Sequence, residues 1–187
     1  MKMQYRLETP VTREMLLPLC AGDTVLLSGD IYTSRDAAHG LLCEALQRGE
    51  APPYELSGSA VYYVGPTPEA PGQVIGSAGP TTSGRMDAYS PQILDRGQLI
   101  MIGKGARSRA VTDAIVRNGA VYLGAVGGAG ALMAASVIES EIICWEHLGC
   151  EAVRRLRVRD FPLVVVIDSR GGNLYEIGPA AYLESLK

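Results

Sequence analysis

Residues Leu99–Leu123 narrow the possible folds more than any other stretch. They read as a buried strand (Leu99–Ile102), the turn Gly103-Lys104-Gly105, a helix over Arg107–Arg117 stopped by Asn118-Gly119, and a second strand, Ala120–Leu123. Ala110, Val111, Ala114 and Ile115 form the inner stripe of that helix, as the 3.6-residue period requires. The unit is a βαβ crossover, which joins parallel strands with a right-handed connection. It predicts a layered α/β fold. Composition agrees. Apolar residues make up 47% of the 187, yet Phe and Trp occur once each and Gly 22 times. Such a core is filled by small aliphatic side chains around many tight turns.

The remaining segments extend the pattern. Tyr5–Glu8 is a short strand, Thr12 caps a brief helix over Arg13–Leu17 that stops at Pro18, and Asp23–Ser28 is a buried strand. Thr33 with Asp36 three residues on forms a capping-box pattern. A helix from about Ser34 to Arg48 follows, with Gly49 as its C-terminal stop. Ala60–Val64 is a strand, and the β-type run Val74–Ala78 leads into Gly79-Pro80-Thr81-Thr82-Ser83-Gly84-Arg85-Met86. Pro91 forbids one long helix through Ser83–Leu94. Two short pieces are expected instead, near Ser83–Tyr89 and from Ser90 to the stop at Gly97. Gly127-Gly128-Ala129-Gly130 opens a small-residue helix, Ala131–Ser136. Ile142–Trp145, Leu156–Arg159 and Leu163–Ile167 are strands, with a turn at Asp168–Asn173. No repeat or boundary interrupts the chain, so one domain over 1–187 is expected.

Several function classes are excluded or weakened. A net charge of −3 gives no electrostatic reason for nucleic-acid or bilayer binding. No apolar run approaches a membrane span, and Met1-Lys2-Met3-Gln4-Tyr5-Arg6 is no signal peptide, so a cytoplasmic protein is expected. Cys20, Cys43, Cys144 and Cys150 include no Cys-x-x-Cys pair. Cys144, His147 and Cys150 are evenly spaced and offer either three metal ligands or, more plainly, two half-buried thiols beside a surface histidine. Gly97–Gly105 lacks the P-loop spacing and its Ser/Thr, and Gly124–Gly130 does not fit Gly-x-Gly-x-x-Gly.

What remains is cationic and hydroxyl-bearing: Arg35, Thr81, Thr82, Arg85 and Lys104. Loops that follow strands are the usual ligand sites of α/β sheets. Three cations and two hydroxyls suit a small di-anion. Arg35 falls in the first turn of its predicted helix, where the macrodipole disfavours a cation. It also shares a face with His39, Leu42 and Leu46. Either it meets an anionic ligand, or it is a surface arginine paired with Asp36 or Glu14.

The sequence also resembles a known family. Gly79-Pro80-Thr81-Thr82-Ser83-Gly84-Arg85-Met86-Asp87-x-Tyr89 is similar to the signature of the iron–sulfur-dependent class I fumarases and tartrate dehydratases. The likeness is to their C-terminal region, which in two-subunit enzymes is a separate β subunit. Ile31–His39, Met101–Gly105, Tyr122-Leu123-Gly124, Gly127-Gly128, Leu148-Gly149-x-Glu151-Ala152 and Asp160-Phe161-Pro162 continue the likeness over nearly the whole chain.

The resemblance implies a three-layer swivelling β/β/α domain. It also implies a hydro-lyase that reversibly dehydrates a 2-hydroxy dicarboxylate, malate, tartrate or a related diacid. A [4Fe-4S] cluster with one iron free of cysteine would act as Lewis acid on the leaving hydroxyl. The cluster cysteines belong to a partner alpha subunit, and no metal ligand is assigned to this chain. A heterotetramer of two alpha and two beta chains is implied. By the same resemblance Arg35, Arg85 and Lys104, with Thr82, bind substrate carboxylates, and Thr81 lies at the carbon that loses its proton. A threonine hydroxyl is a weak base unless a neighbour such as Lys104 lowers its pKa. Thr81 is therefore either that base or a hydrogen-bond partner of the substrate. Asp36, His39 and Asp87 are candidates to support these groups, His39 having the alternative of a satisfied interior histidine. The competing expectation is a non-catalytic anion-binding or phosphate-carrier swivelling domain, which fold alone does not separate.

Overall fold

A computed structural model describes residues 2–126 and 128–186. Gly127, at the head of the predicted glycine-rich turn, and Met1 lie outside the described residues. The elements in chain order are β1 (Gln4–Glu8), α1 (Arg13–Leu16), β2 (Thr24–Thr33), α2 (Asp36–Gln47), β3 (Ala60–Tyr62) and a 3-10 turn, Ser83–Met86. Then come α3 (Ser90–Leu94), β4 (Ile100–Gly103), α4 (Arg109–Asn118), β5 (Val121–Gly124), α5 (Gly130–Ala135) and β6 (Val137–Cys144). A second 3-10 turn (Glu146–Glu151), β7 (Val153–Ile167) and α6 (Leu174–Ser185) complete the chain. The fold is α/β.

The predicted crossover is present. β4 and β5 are adjacent and parallel, Ile100 facing Val121, with α4 between them in sequence. β1–β2, β2–β3 and β3–β4 are also parallel, whereas β7 runs antiparallel to β2, β5 and β6. The pairings close a circuit, β2–β3–β4–β5–β7–β2, so β2 and β7 are both long and shared. Buried apolar side chains from all these strands, from Leu16 and Leu19, and from α2, α3 and α4 form one connected core.

Several expectations need correction, among them the Thr33–Asp36 capping box, which does not form because Arg35 is the N-cap of α2 and no side chain caps it. β2 does not end at Ser28: it passes through Gly29, at φ +100°, and a register shift in its pairing with β7. The strands expected at Leu156–Arg159 and Leu163–Ile167 are one strand. Asp160 takes φ +48° and bends the chain while the pairing with β2 continues through Phe161 and Pro162. Val74–Ala78 is no strand, because Ser77 bonds back to Thr67, its N–H to Thr67 Oγ1 at 2.8 Å, instead of to the sheet. α4 begins at Arg109, its N-cap Ser108 being held by Asp87, and Ala110 is exposed. α6 has no counterpart in the sequence reading; Asn173 caps it, and Tyr175, Ile177, Tyr182 and Leu183 stand exposed along it. No described helix is long and apolar enough to cross a membrane.

Candidate active site

Three parallel neighbours set the site. Thr33 of β2 faces Tyr62 of β3, and Tyr62 faces Ile102 of β4. Ser34–Asp36, Tyr63–Gly65 and Gly103–Gly105 therefore leave the sheet side by side, at strand spacings of about 4.8 Å. The hydroxyl-rich turn is drawn across these ends. Pro80 bridges Val64, the Thr81 N–H donates to the Tyr63 carbonyl at 2.8 Å, and Thr82 bridges Lys104. Arg85 then forms an ion pair with Asp36, the neighbour of Arg35. Arg35, Thr81, Thr82, Arg85 and Lys104 thus gather at one edge, the carboxyl end of the parallel strands.

Beneath them lies a polar network that the sequence reading missed. Ser83 Oγ accepts from the Lys104 N–H at 3.0 Å, and the Tyr122 hydroxyl is shared between Ser83 Oγ (2.9 Å) and the Gly105 carbonyl (3.0 Å). A Cβ on Gly103 would fall 2.0 Å from Ser83 Oγ, so only glycine lets the strand end this close to the turn. The Gly105 N–H donates to the Tyr175 hydroxyl at 3.0 Å. Arg107, whose side chain is fully buried, donates through Nε to Asp87 at 2.7 Å and through Nη2 to Ser90 at 2.8 Å. Its guanidinium lies over the rings of Tyr63 and Tyr122, 5.4 and 5.1 Å from their centroids, a cation–π geometry. The other Asp87 oxygen accepts from Ser108 N at 2.6 Å. Asp87 is thus an internal anchor for Arg107 and α4.

The arginines above are held differently. Arg35 is the N-cap of α2 in an extended conformation, not a first-turn residue, and it still stands at the positive end of that helix. Its partner is neither Asp36 nor Glu14: Nη2 lies 3.2 Å from Glu151 Oε1. Burial raises the Asp36 pKa, but the backbone hydrogen bond and the charges of Arg85 and Arg35 outweigh it, and the carboxyl sits below its usual range. Asp36 Oδ1 and Arg35 Nε are buried without a hydrogen-bond partner. His39 is a satisfied interior histidine. It is 1% exposed, with Nδ1 2.7 Å from Ser34 Oγ and 2.9 Å from the Arg35 carbonyl. That carbonyl can only accept, so Nδ1 carries the proton in this contact. Burial first, then the charge of Arg107, lowers the His39 pKa to about 4.

The cysteines do not fit an iron–sulfur cluster. Cys20 is exposed and lies near Arg170, while Cys43 is buried in α2, where burial raises its pKa. Cys144 ends β6 half-buried, pushed up to about 11, and Cys150 is exposed in the following 3-10 turn. Among the described residues no three His, Cys, Asp or Glu side chains converge on a metal position, the Cys144–His147–Cys150 set included.

Ser83 lies in the Gly79–Met86 turn and Glu151 in the Leu148–Ala152 segment, but neither residue type announces its role. Arg107, Tyr63 and Tyr122 carried no local signal, since their partnership joins distant segments.

The chain is 40% identical over 152 residues to the protein named aerobic class I fumarate hydratase of Salmonella typhimurium, covering 80% of this chain and 26% of that one. It is 38% identical over 165 residues to fumarate hydratase 2 of Leishmania major, 87% of this chain and 29% of that one. It therefore spans less than a third of the length of these relatives. A Methanocaldococcus jannaschii protein, provisionally named L(+)-tartrate dehydratase subunit beta, is 37% identical over 172 residues, 89% of this chain and 88% of that one. The family described as Fumarase C-terminus matches residues 1–178, and the chain belongs to it.

Proposed function

We propose that this chain is the beta subunit of a [4Fe-4S]-dependent hydro-lyase that reversibly dehydrates a 2-hydroxy dicarboxylate, malate to fumarate foremost and tartrate or a related diacid next. The observation that carries this reading is the gathering of Arg35, Thr81, Thr82, Arg85 and Lys104 at the ends of three adjacent parallel strands. The names of the relatives supply the reaction class. The cluster belongs to a partner alpha subunit, two of each chain assemble, and the complex is cytoplasmic. In this reading residues 1–187 are a single three-layer swivelling β/β/α domain.

The chemistry asked of this chain is electrostatic. Loss of a proton beside a carboxylate builds further negative charge on that group, and fixed cations gain most at that moment. Arg35, Arg85 and Lys104 orient the two carboxylates, with Thr82 as a hydroxyl partner. Thr81 stands at the carbon that loses the proton, and the neighbouring Lys104 charge stabilises its ionised form if it acts as the base. A phosphate carrier would need an exposed nucleophilic histidine in a glycine or threonine loop; burial removes His39 from that role, and His147, though exposed, lies in the 3-10 turn Glu146–Glu151 and not in the Thr81–Thr82 turn.

The test is co-expression with a cluster-bearing alpha chain, anaerobic cluster loading and a dehydration assay over a panel of hydroxy-diacids. Turnover of at least one diacid is expected. Arg85→Ala should raise KM and lower kcat together, and Thr81→Ala should lower kcat far more than affinity. A loaded complex that dehydrates none of the panel overturns the reading; unchanged kcat in Thr81→Ala removes the base assignment alone.

A further inference from the structure

We propose that Glu151 is a positioning residue: it fixes the direction of the Arg35 guanidinium toward the substrate carboxylate. The proposal rests on the reading of Arg35 as a carboxylate ligand and extends it to a group on a different element. An arginine at a strand–helix junction has a long side chain whose ordering costs rotamer freedom. Here that freedom is removed from three sides. The floor is Gly65, where a Cβ would fall 2.6 Å from Arg35 Nη1 and 3.2 Å from its Cδ. The Cys150 carbonyl, 3.1 Å from the same point, brings the 3-10 turn Glu146–Glu151 over the stem. Glu151 Oε1 then takes Nη2 at 3.2 Å, both side chains being about four-fifths covered.

The carboxylate is itself anchored independently of Arg35. Its Oε2 accepts from the Ala37 N–H at 3.3 Å, in the first turn of α2, where the helix favours negative charge. Gly149, at φ +60°, turns the backbone so that Glu151 can reach α2. A single contact at Nη2 leaves the guanidinium other N–H donors for a ligand carboxylate. Glu151 is therefore a rigid brace against one corner of the guanidinium and does not stand in for the substrate.

The alternative, a carboxylate that competes with substrate for Arg35, predicts the opposite sign on removal, and this makes the test direct. In the assembled, cluster-loaded complex, Glu151→Ala should raise KM for the diacid about tenfold with kcat changed much less, since positioning of a binding group is lost in ground and transition states alike. Glu151→Gln, which keeps the acceptor for Ala37, should recover part of that loss. Glu151→Ala added to Arg35→Ala should change KM no further, because the brace acts only through Arg35. A fall in KM, an additive double variant, or an unchanged KM in Glu151→Ala when Arg35→Ala raises it overturns the proposal. An unchanged KM in Arg35→Ala instead overturns the ligand reading on which it rests. If Glu151→Ala fails to assemble, Glu151→Gln alone and combined with Arg35→Ala carry the same comparison.

Discussion

The Lys104 turn and the Arg85–Asp36 pair leave the same sheet edge, yet they are secured in opposite ways. The turn is held from inside. Ser83, Tyr122, Arg107 and Asp87 form a buried network in which backbone N–H and carbonyl groups are satisfied by side chains. Arg85 is held from outside, 48% exposed on a carboxylate that is itself 33% exposed. A buried, satisfied network fixes one geometry, because any lost partner leaves a costly orphan. An exposed ion pair is worth little and exchanges readily. In the proposed function, the backbone that holds the site is thus separate from the charge that would change partner when an anion arrives.

Arg107 gives the most severe test of that division. Arg107→Met keeps much of the volume but leaves Asp87 without its counter-charge, and should cost about 3–5 kcal/mol of unfolding free energy. Denaturant unfolding measures it; a loss below about 1 kcal/mol, the range of an exposed pair, would erase the contrast between the two regions.

The next effect is pH-dependent and belongs to the interior side. His39 titrates near 4 in the folded chain against 6.5 unfolded. Below pH 6.5 the unfolded state takes up a proton that the folded state refuses, so stability falls with pH. The fall runs from about pH 6.5 to about pH 4 and totals about 3 kcal/mol. Unfolding free energies across that window should decline more steeply in the wild type than in His39→Asn. Parallel slopes would show that His39 is not held neutral.

The legible parts of the fold were those whose signal is local. β4, α4 and β5 could be read because a short apolar run, a periodic stripe and an Asn-Gly stop each lie within a few residues. β2 and β7 could not, because each survives an unfavourable residue, Gly29 or Asp160, through its long antiparallel pairing with the other. α6 carries Gly178 and Pro179 and buries no apolar face, so no periodicity announced it. The same rule sorts the site. Lys104 was readable at the end of a strand that forms, whereas Arg35 was read in a helical first turn, and Thr81, Thr82 and Arg85 were read after Val74–Ala78, which is no strand. Arg107 reads as an ordinary helix-start charge until Asp87, Tyr63 and Tyr122 are brought around it. Glu151 likewise acquires meaning only when the turn after β6 folds onto α2.

A smaller loss isolates the link between the network and the turn. Ser83→Ala removes one oxygen that serves both the Lys104 N–H and the Tyr122 hydroxyl. Tyr122 keeps the Gly105 carbonyl, so the Lys104 N–H is the group left unpaired. The expected cost is about 1–3 kcal/mol. Turnover of the assembled complex should fall with it, because the backbone that presents Lys104 is no longer pinned. Lost stability with unchanged turnover would mean that the network serves folding alone.

The smallest expected stability effect falls on a residue proposed to serve the reaction directly. Arg85→Ala removes an exposed ion pair worth about 0.2–1 kcal/mol, and it leaves Asp36 at the mouth of α2, where the helix N-terminus still favours its charge. Unfolding free energy should therefore move by less than about 1 kcal/mol, while the diacid kinetics of the assembled complex change in both KM and kcat. The contrast with Arg107→Met is the sharpest form of the comparison, since the same residue type at one sheet edge should separate cleanly into a part that folds the chain and a part that serves its ligand. If Arg85→Ala instead lost several kcal/mol, its pair with Asp36 would belong to the rigid network, and Arg85 would have no charge to release to an incoming carboxylate.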